Sequence, residues 1–238
     1  MISVVIATYN GEHYLKQQVD SILNQLSSED EVIISDDHSI DKTLSILHSI
    51  QDPRLQIFSN DPNQRGYSAN FENALRHTKG SIIFLADQDD VWLPNKVSFM
   101  VDALKTCDFV VSDATVTDAD LIPTFDSHFK LTHVKQGFLN NFIKTRYIGA
   151  CMAFNRTVLD KALPFPVQRK YCPHDYWIAL IAEAFFKVNL IPEPLIYYRR
   201  HTQNASGGGV SKSTYSLWNQ LGRRVYCGTH LILRSLRS

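Results

Sequence analysis

Carboxylates are the first chemistry visible in this chain. In Phe84-Leu-Ala-Asp-Gln-Asp-Asp-Val-Trp-Leu-Pro, three of them, Asp87, Asp89 and Asp90, crowd the loop that follows an apolar run. Like charges this close repel unless a cation or a positive donor neutralises them. Hard divalent ions such as Mg²⁺ or Mn²⁺ take oxygen ligands and commonly complete their shell with substrate phosphates, so an acidic loop facing an open site reads as a metal-diphosphate site. The competing reading is a solvated acidic turn in which Asp90 caps the next helix. A second acidic turn, Glu31-Val-Ile-Ile-Ser-Asp-Asp-His-Ser-Ile-Asp-Lys-Thr, places Asp36 and Asp37 at the end of another apolar run. Carboxylates there can accept hydrogen bonds from a base N–H or a ribose hydroxyl. An Asp-rich turn capping a helix from Asp41 explains the same residues equally well.

The elements that must hold these loops follow from periodicity. Short β-branched runs predict strands at Ile2–Ala7, Glu31–Ser35, Leu55–Ser59, Ser81–Ala86 and Asp108–Ser112. Leu15, Val19, Ile22, Leu23 and Leu26 recur at helical spacing behind Asn10, which reads as an N-cap. Pro94 reads as the first residue of a helix carrying Val97, Met100, Val101 and Leu104. Strand, polar loop and helix in alternation predict an α/β fold with a mostly parallel central sheet and helices on both faces. Ligands in such sheets bind outside the carboxyl ends of the strands, where the acidic loops lie. From about residue 113 the alternation breaks down into mixed segments.

Bulk properties narrow the classes. The 238 residues, 44% hydrophobic and 11% aromatic, suffice for one large domain with a sizeable core. With 24 basic and 24 acidic residues there is no polyanion-binding signature, which argues against nucleic acid as a partner. The charge is uneven, however, because Glu193 is the last acid and seven basic residues, from Arg199 to Arg237, follow it. Cys107, Cys151, Cys172 and Cys227 are far apart and form no C-x-x-C pair, which favours free thiols in a reducing compartment. Residues 1 to 8 lack a signal-peptide pattern and no run of about 18 apolar residues occurs, so a cytoplasmic location is expected.

Together, Ile2-Ser-Val-Val-Ile-Ala-Thr-Tyr-Asn-Gly, Asp36-Asp37-His-Ser and Asp87-Gln-Asp-Asp-Val-Trp resemble, in order and spacing, family 2 glycosyltransferases of the GT-A fold. The resemblance runs from residue 2 to about 209. It implies a nucleotide-sugar donor, with Thr8 and Tyr9 lining the nucleotide, Asp37 contacting the base and Asp36 beside it. It also implies a D-x-D metal element in Asp87 and Asp89, with Mn²⁺ or Mg²⁺ as cofactor. Asn63-Gln-Arg-Gly-Tyr-Ser-Ala-Asn resembles the family's donor loop and would bring Arg65, Gly66 and Asn70 to the nucleotide. Tyr147-Ile-Gly-Ala-Cys-Met-Ala-Phe resembles the segment beneath the sugar, where Gly149 or Ala150 leaves room; a plain buried strand is the alternative. Asp175, in Pro173-His-Asp-Tyr-Trp, falls at the place of the family's general base, kept ionised by the N–H groups of a helix start. Its alternative role is an N-cap, and Trp177 suits either stacking on a sugar face or, the preferred reading, filling the core.

Finally, Tyr198-Arg-Arg-His-Thr-Gln-Asn-Ala-Ser-Gly is similar to the Y-R-x-H-x-x-N-x-x-G signature of bacterial surface-polysaccharide transferases, rhamnosyltransferases among them. It implies that His201 ligates the metal or binds the diphosphate and that Arg199 neutralises the leaving group, with Gly207 to Gly209 as a hinge. The implied organisation is a nucleotide-sugar-binding half over 1–112 and an acceptor-binding, catalytic half over 113–210 of the same domain. Residues 211–238 form a basic amphipathic tail. The implied reaction is an inverting transfer from a UDP- or dTDP-sugar, dTDP-rhamnose among the candidates, to a saccharide or lipid-linked acceptor. Leu217, Leu221, Val225, Ile232 and Leu236, interleaved with arginines, suit either the inner membrane surface or packing on the core or a homodimer partner. Competing readings are a nucleotidyltransferase, a receiver-like signalling domain and a non-catalytic sugar-nucleotide binder.

Overall fold

The computed structural model describes residues 1–202, 204 and 217–236; the Gly207 to Gly209 hinge expected above lies outside them. The chain runs β1 (Ile2–Thr8), α1 (Leu15–Leu23), β2 (Glu31–Asp36), α2 (Thr43–Ser49), β3 (Leu55–Ser59), α3 (Tyr67–His77), β4 (Ile82–Asp87), β5 (Val91–Trp92) and α4 (Lys96–Leu104). It continues through β6 (Phe109–Thr117), β7 (Pro123–Phe125), α5 (His128–Thr132), α6 (Phe138–Lys144), β8 (Met152–Asn155), α7 (Arg156–Ala162), α8 (His174–Phe185), β9 (Val188–Arg199) and α9 (Leu217–Ser235).

The strands form one sheet ordered β3-β2-β1-β4-β8-β6-β9-β5, with β7 on β6. Strands β1, β2, β3, β4, β6 and β9 point one way, while β5, β7 and β8 run against them. All six residues of β2 are buried, as are Val4, Val5 and Ile6 of β1 and Ile83 to Ala86 of β4. Successive buried residues mean that both faces of the sheet are covered, which is why these strands are apolar without alternation. The five expected strands are present within a few residues. The antiparallel strands β5, β7 and β8, with the parallel β9, complete the sheet.

Two expected helix starts differ. Asn10 does not cap α1: it takes a left-handed φ of 49° and its Oδ1 accepts from Ile40 N at 3.0 Å, so it ties the first loop to the second. The chain then makes a turn before α1 begins at Leu15. Pro94 is not the first residue of α4, which starts at Lys96 behind Asn95 in the left-handed region at φ 69°. Asp41 does support α2, its Oδ1 accepting from Thr43 N at 2.9 Å.

At the opposite end of the sheet, buried Glu31 holds the starts of three strands together. Its Oε1 accepts from Ser3 Oγ and Lys79 N, both at 2.6 Å, and its Oε2 from Gln56 Nε2 at 3.1 Å. Gly80 is required beside it, since a Cβ there would lie 2.7 Å from Ser3 N. Helix α8 is buried all round from Tyr176 to Ala182, and Trp177 is core, its Nε1 donating to Ala162 O at 2.8 Å.

Helix α9 packs Cys227, Leu231 and Arg234 inward and leaves Leu221, Val225 and Ile232 exposed, as is Leu236 just after it. Its arginines do not fan outward as an amphipathic surface helix predicts. Arg224 donates to Ile143 O at 3.1 Å and Arg234 to the carbonyls of Leu163 and Pro164. The four cysteines are free and buried. Among the described residues no helix is long and apolar enough to cross a membrane.

Replacing Glu31 by Ala removes the acceptor of three donors, Ser3 Oγ buried and Lys79 N and Gln56 Nε2 part-buried, and is expected to lower unfolding free energy by about 2–3 kcal/mol. The measurement is the urea midpoint at constant slope; an unchanged midpoint would contradict the anchoring role.

Candidate active site

The carboxyl ends of β1, β2 and β4 open onto a cavity of about 710 Å³. Of the residues singled out above, Thr8, Tyr9, Asp37, Arg65, Gly66, Asn70, Asp87, Asp89, Gly149 and Asp175 line it. Asp36, Arg199 and His201 stand behind that wall.

At the end of β2, Asp36 is spent on local structure. Its Oδ1 accepts from Thr8 Oγ1 at 3.0 Å and Ser39 Oγ at 2.6 Å, and its Oδ2 from Ser39 N at 2.9 Å. Asp37 faces the cavity and is fixed from both sides, by Asn60 Nδ2 on Oδ1 and Gly66 N on Oδ2, each at 2.8 Å. Gly66 has φ 103°, a conformation that side chains with a Cβ avoid, and this is what aims its N–H at Asp37. Arg65 donates to Asp37 O at 2.8 Å, with its guanidinium 5.8 Å from the centroid of the half-exposed Tyr9 ring. Asn70 is buried. It donates to Thr8 O at 3.0 Å while its Oδ1 has no partner among the described residues.

The acidic loop after β4 is braced at every residue. Gln18 Nε2 donates to Asp87 O at 2.8 Å. Gln88 closes a two-way bridge to the Tyr9 backbone at 2.9 and 3.1 Å. Gly11 makes room for that bridge, since a Cβ there would meet Gln88 Oε1 at 2.5 Å. Asp89 Oδ2 accepts from Asn204 Nδ2 at 2.7 Å and lies 2.9 Å from His201 Nε2. Asp90 is fully buried and takes Arg199 N on Oδ1 at 2.9 Å. It is a buried anchor, neither a solvated acid nor a helix cap. Burial, Asp89 and Asp87 hold its carboxyl well above the usual range. Half-buried Asp87 is pushed up to about 7 by burial, then by the charges of Asp89 and Asp175, with Arg200 opposing.

Arg199, expected at the leaving group, is a brace. Its Nε donates to Asp89 O at 2.7 Å, Nη1 to Ala119 O at 2.6 Å and Nη2 to Gln17 Oε1 at 2.7 Å, and the buried guanidinium sits 4.5 Å from the Tyr14 ring centroid. With its donors occupied, it fixes the acidic loop from behind. Arg200, the next residue of the chain, borders the cavity in its place. Nor do Asp87, Asp89 and His201 form a ready cage: His201 sits on Asp89, and among the described residues no group of three His, Cys, Asp or Glu side chains is arranged around a metal.

Asp175 occupies the first turn of α8, its Oδ1 accepting from Tyr176 N at 2.7 Å. Gly149 lets the opposite wall approach, because a Cβ there would lie 3.2 Å from His174 Nε2 and 3.5 Å from Asp175 Cβ. Ala150 is buried beneath, its carbonyl accepting from Lys96 Nζ at 3.2 Å. His174 stacks on Phe71 at 4.1 Å, and burial lowers its pKa, so the ring is neutral. Arg146, His174, Arg200 and Arg223 also line the cavity; His174 and Arg200 fall within quoted motifs that assign them no role, and no motif marks Arg146 or Arg223.

The profile of Glycosyl transferase family 2 matches residues 3–163. The chain belongs to this family. Asp175, Arg200 and α9 lie beyond the matched stretch of this family 2 chain. An uncharacterized glycosyltransferase of Nostoc sp. is 28% identical over 219 residues, 85% of this chain and 66% of that protein. The dTDP-rhamnosyl transferase RfbG of Shigella flexneri is 26% identical over 221 residues, 87% and 75% of the two chains. The Escherichia coli UDP-Glc:alpha-D-GlcNAc-diphosphoundecaprenol beta-1,3-glucosyltransferase WfgD is 24% identical over 189 residues, 77% and 70%. In fold, the chain is similar to S. aureus TarS 1–349 in complex with UDP-GlcNAc (TM-score 0.69, 18% identity, 89% of this chain and 61% of that one). It is also similar to the Pyrobaculum calidifontis mannosyltransferase PcManGT in complex with GDP-Man and Mn²⁺ (TM-score 0.60, 20% identity, 98% and 64%). The chain thus spans about two thirds of the Nostoc relative and somewhat less of these structures. Membership of the family removes the nucleotidyltransferase and receiver-like readings.

The raised Asp87 value gives a pH dependence of known sign. Proton binding favours the native state, so this stabilisation is complete below about 4, the ordinary carboxylate value, and is lost as the pH rises through about 7. Without divalent cation, Tm of the wild type is expected to fall across that window relative to Asp87→Asn. Parallel Tm curves would refute the assignment.

Proposed function

We propose that this chain catalyses inverting transfer of a sugar from a UDP- or dTDP-sugar to a hydroxyl of a saccharide or lipid-linked acceptor in surface-polysaccharide assembly. The observation that carries this reading is the convergence of Thr8 and Asp37, the pair Asp87 and Asp89, and Asp175 on one cavity at the carboxyl ends of the parallel strands. Dedicated donors in the names of relatives, UDP-Glc for WfgD and dTDP-rhamnose for RfbG, supply the two nucleotide classes. Residues 1–112 hold the donor and 113–210 the acceptor and the base.

Asp37 takes hydrogen bonds from the base, with Thr8, Tyr9, Arg65, Gly66 and Asn70 around the nucleoside. The free acceptor on Asn70 Oδ1 offers a further hydrogen bond at that end. Asp87 and Asp89 present two carboxylates to the cavity, one with its proton held toward neutrality, and that donor set fits a hard divalent cation. A bound Mn²⁺ or Mg²⁺ held by these two residues would supply positive charge to the diphosphate oxygens. His201 and Asn204 orient Asp89, and Arg199 fixes the loop that carries it. Arg200 adds a cation on the cavity side, where it meets charge developing on the leaving group.

Asp175 acts as general base. As the acceptor oxygen attacks the anomeric carbon, its proton passes to the Asp175 carboxylate. The bond from that carbon to the diphosphate breaks, and its electron pair leaves with the nucleoside diphosphate. Attack opposite the leaving group inverts the anomeric centre. A membrane-borne acceptor is supported by the exposed apolar residues Leu221, Val225 and Ile232 of α9 and Leu236 just after it. Liposome flotation with and without residues 211–238 tests that contact, and a concentration-dependent dimer that loses binding to lipid is the opposing outcome.

Asp175→Asn is expected to keep nucleotide-sugar affinity and to lose about 10²–10⁴-fold in transfer rate. Asp89→Ala is expected to abolish the Mn²⁺-dependent part of donor affinity. Calorimetry with UDP- and dTDP-sugars reads the first quantity and anomeric NMR of the product reads stereochemistry. Unimpaired turnover by Asp175→Asn, or a product of retained configuration, would overturn the mechanism.

A further inference from the structure

Arg223 has a buried Nε with no hydrogen-bond partner among the described residues. It lies on α9, outside the stretch matched by the family profile, yet borders the cavity that contains Asp175. Its guanidinium carbon sits 4.2 Å from the centroid of the Tyr176 ring, on the residue that follows Asp175. Its Nε is buried without a hydrogen-bond partner, and no carboxylate lies within 4.0 Å of it among the described residues. The other cavity arginines each have an acceptor: Arg65 has Asp37 O at 2.8 Å, Arg146 has His133 O at 3.2 Å and Arg200 has Tyr198 Oη at 3.1 Å.

The position is built, not incidental. Tyr176 Oη donates to Phe142 O at 2.8 Å, and Arg224, the next residue on α9, donates to Ile143 O at 3.1 Å. These two contacts pin α8 and α9 to the end of α6, just before Arg146, so Arg223 is held on its aromatic platform from both sides. A guanidinium cannot shed its charge, and its planar fork of N–H groups matches phosphate oxygens. A buried N–H left without an acceptor is costly, and an anion that meets it removes that cost.

We propose that Arg223 binds a phosphate group of the acceptor, making α9 one wall of an organic-phosphate subsite in which Arg146 is the second cation. The proposal rests on the reading of Asp175 as the base, because the acceptor hydroxyl must come to that carboxylate and Arg223 stands over the adjoining ring. The donor diphosphate is served from other elements, by the loop after β4 and by Arg200.

The test uses the full chain and citronellyl diphosphate as probe, titrated by calorimetry with and without saturating UDP or dTDP and Mn²⁺. The wild type is expected to bind the probe in both conditions. Arg223→Gln should weaken it about 10- to 100-fold and Arg223→Lys several-fold less, with nucleotide affinity unchanged in both. Equal probe affinity in wild type and Arg223→Gln overturns the proposal. Loss of probe binding once nucleotide is present also overturns it, by assigning the guanidinium to the donor diphosphate. Should Arg223→Gln fail to fold, the comparison of Arg223→Lys with wild type decides by the same criterion. A chain that binds no nucleotide at all refutes the transferase reading instead, while the probe titration without nucleotide still decides the role of Arg223.

Discussion

Three carboxylates on four consecutive residues cannot share one loop unless their charges are separated, and the way this chain separates them organises the end of the sheet. Asp90 is withdrawn into the interior, where burial and its neighbours favour the protonated form. Asp89 is given to His201 and Asn204, and Asp87 is left facing the cavity with its ionisation moved toward neutrality. The backbone beneath them is held by Gln18 and by the buried Arg199, which reach it from α1 and from the far end of β9. Residues more than a hundred positions apart in sequence are therefore needed to keep one acidic turn in place.

The same economy shapes the nucleotide end. Asp36 and Asp37 are adjacent and both nearly buried, but one is consumed by Thr8 and Ser39 while the other is held open to the cavity by Asn60 and Gly66. A left-handed glycine and a close-packed one do most of the shaping: Gly66 turns its N–H onto Asp37, and Gly11 admits the Gln88 bridge that joins the first loop to the acidic loop. Each loop is thus tied to its neighbour by side chain to backbone contacts, so the carboxyl ends of β1, β2 and β4 form one rigid rim.

Much of this was legible in the residues. Strands buried on both faces carry unbroken apolar runs, which is why β1, β2, β3, β4 and the start of β6 can be read directly. Strand β9 is hidden because Pro192, Glu193 and Pro194 interrupt its pattern where its register against β6 shifts. The starts of α1 and α4 were misplaced for a common reason: Asn10 and Asn95 adopt left-handed conformations, and Asn10 spends its side chain on a partner thirty residues away that periodicity cannot show. In the site, acids at strand ends announced themselves, whereas the cations did not. Arg199 and Arg200 exchange places because neighbouring residues of an extended strand point to opposite sides, and the phase of that alternation depends on the sheet. Arg223 reaches the cavity only through the packing of α9 on Tyr176, a tertiary fact with no local signature.

The double hydrogen bond on Asp89 Oδ2 has a consequence for what can enter. That oxygen already carries Asn204 at 2.7 Å and His201 at 2.9 Å, and bonds to a charged acceptor are each worth about 1.5–3 kcal/mol. A newcomer to that oxygen must share it with these partners or displace them, which leaves Oδ1 as the other approach to this carboxylate. Whatever meets the acidic turn thus meets Asp89 together with two residues that follow β9, so the character of this rim is set as much by the far end of the chain as by the loop itself.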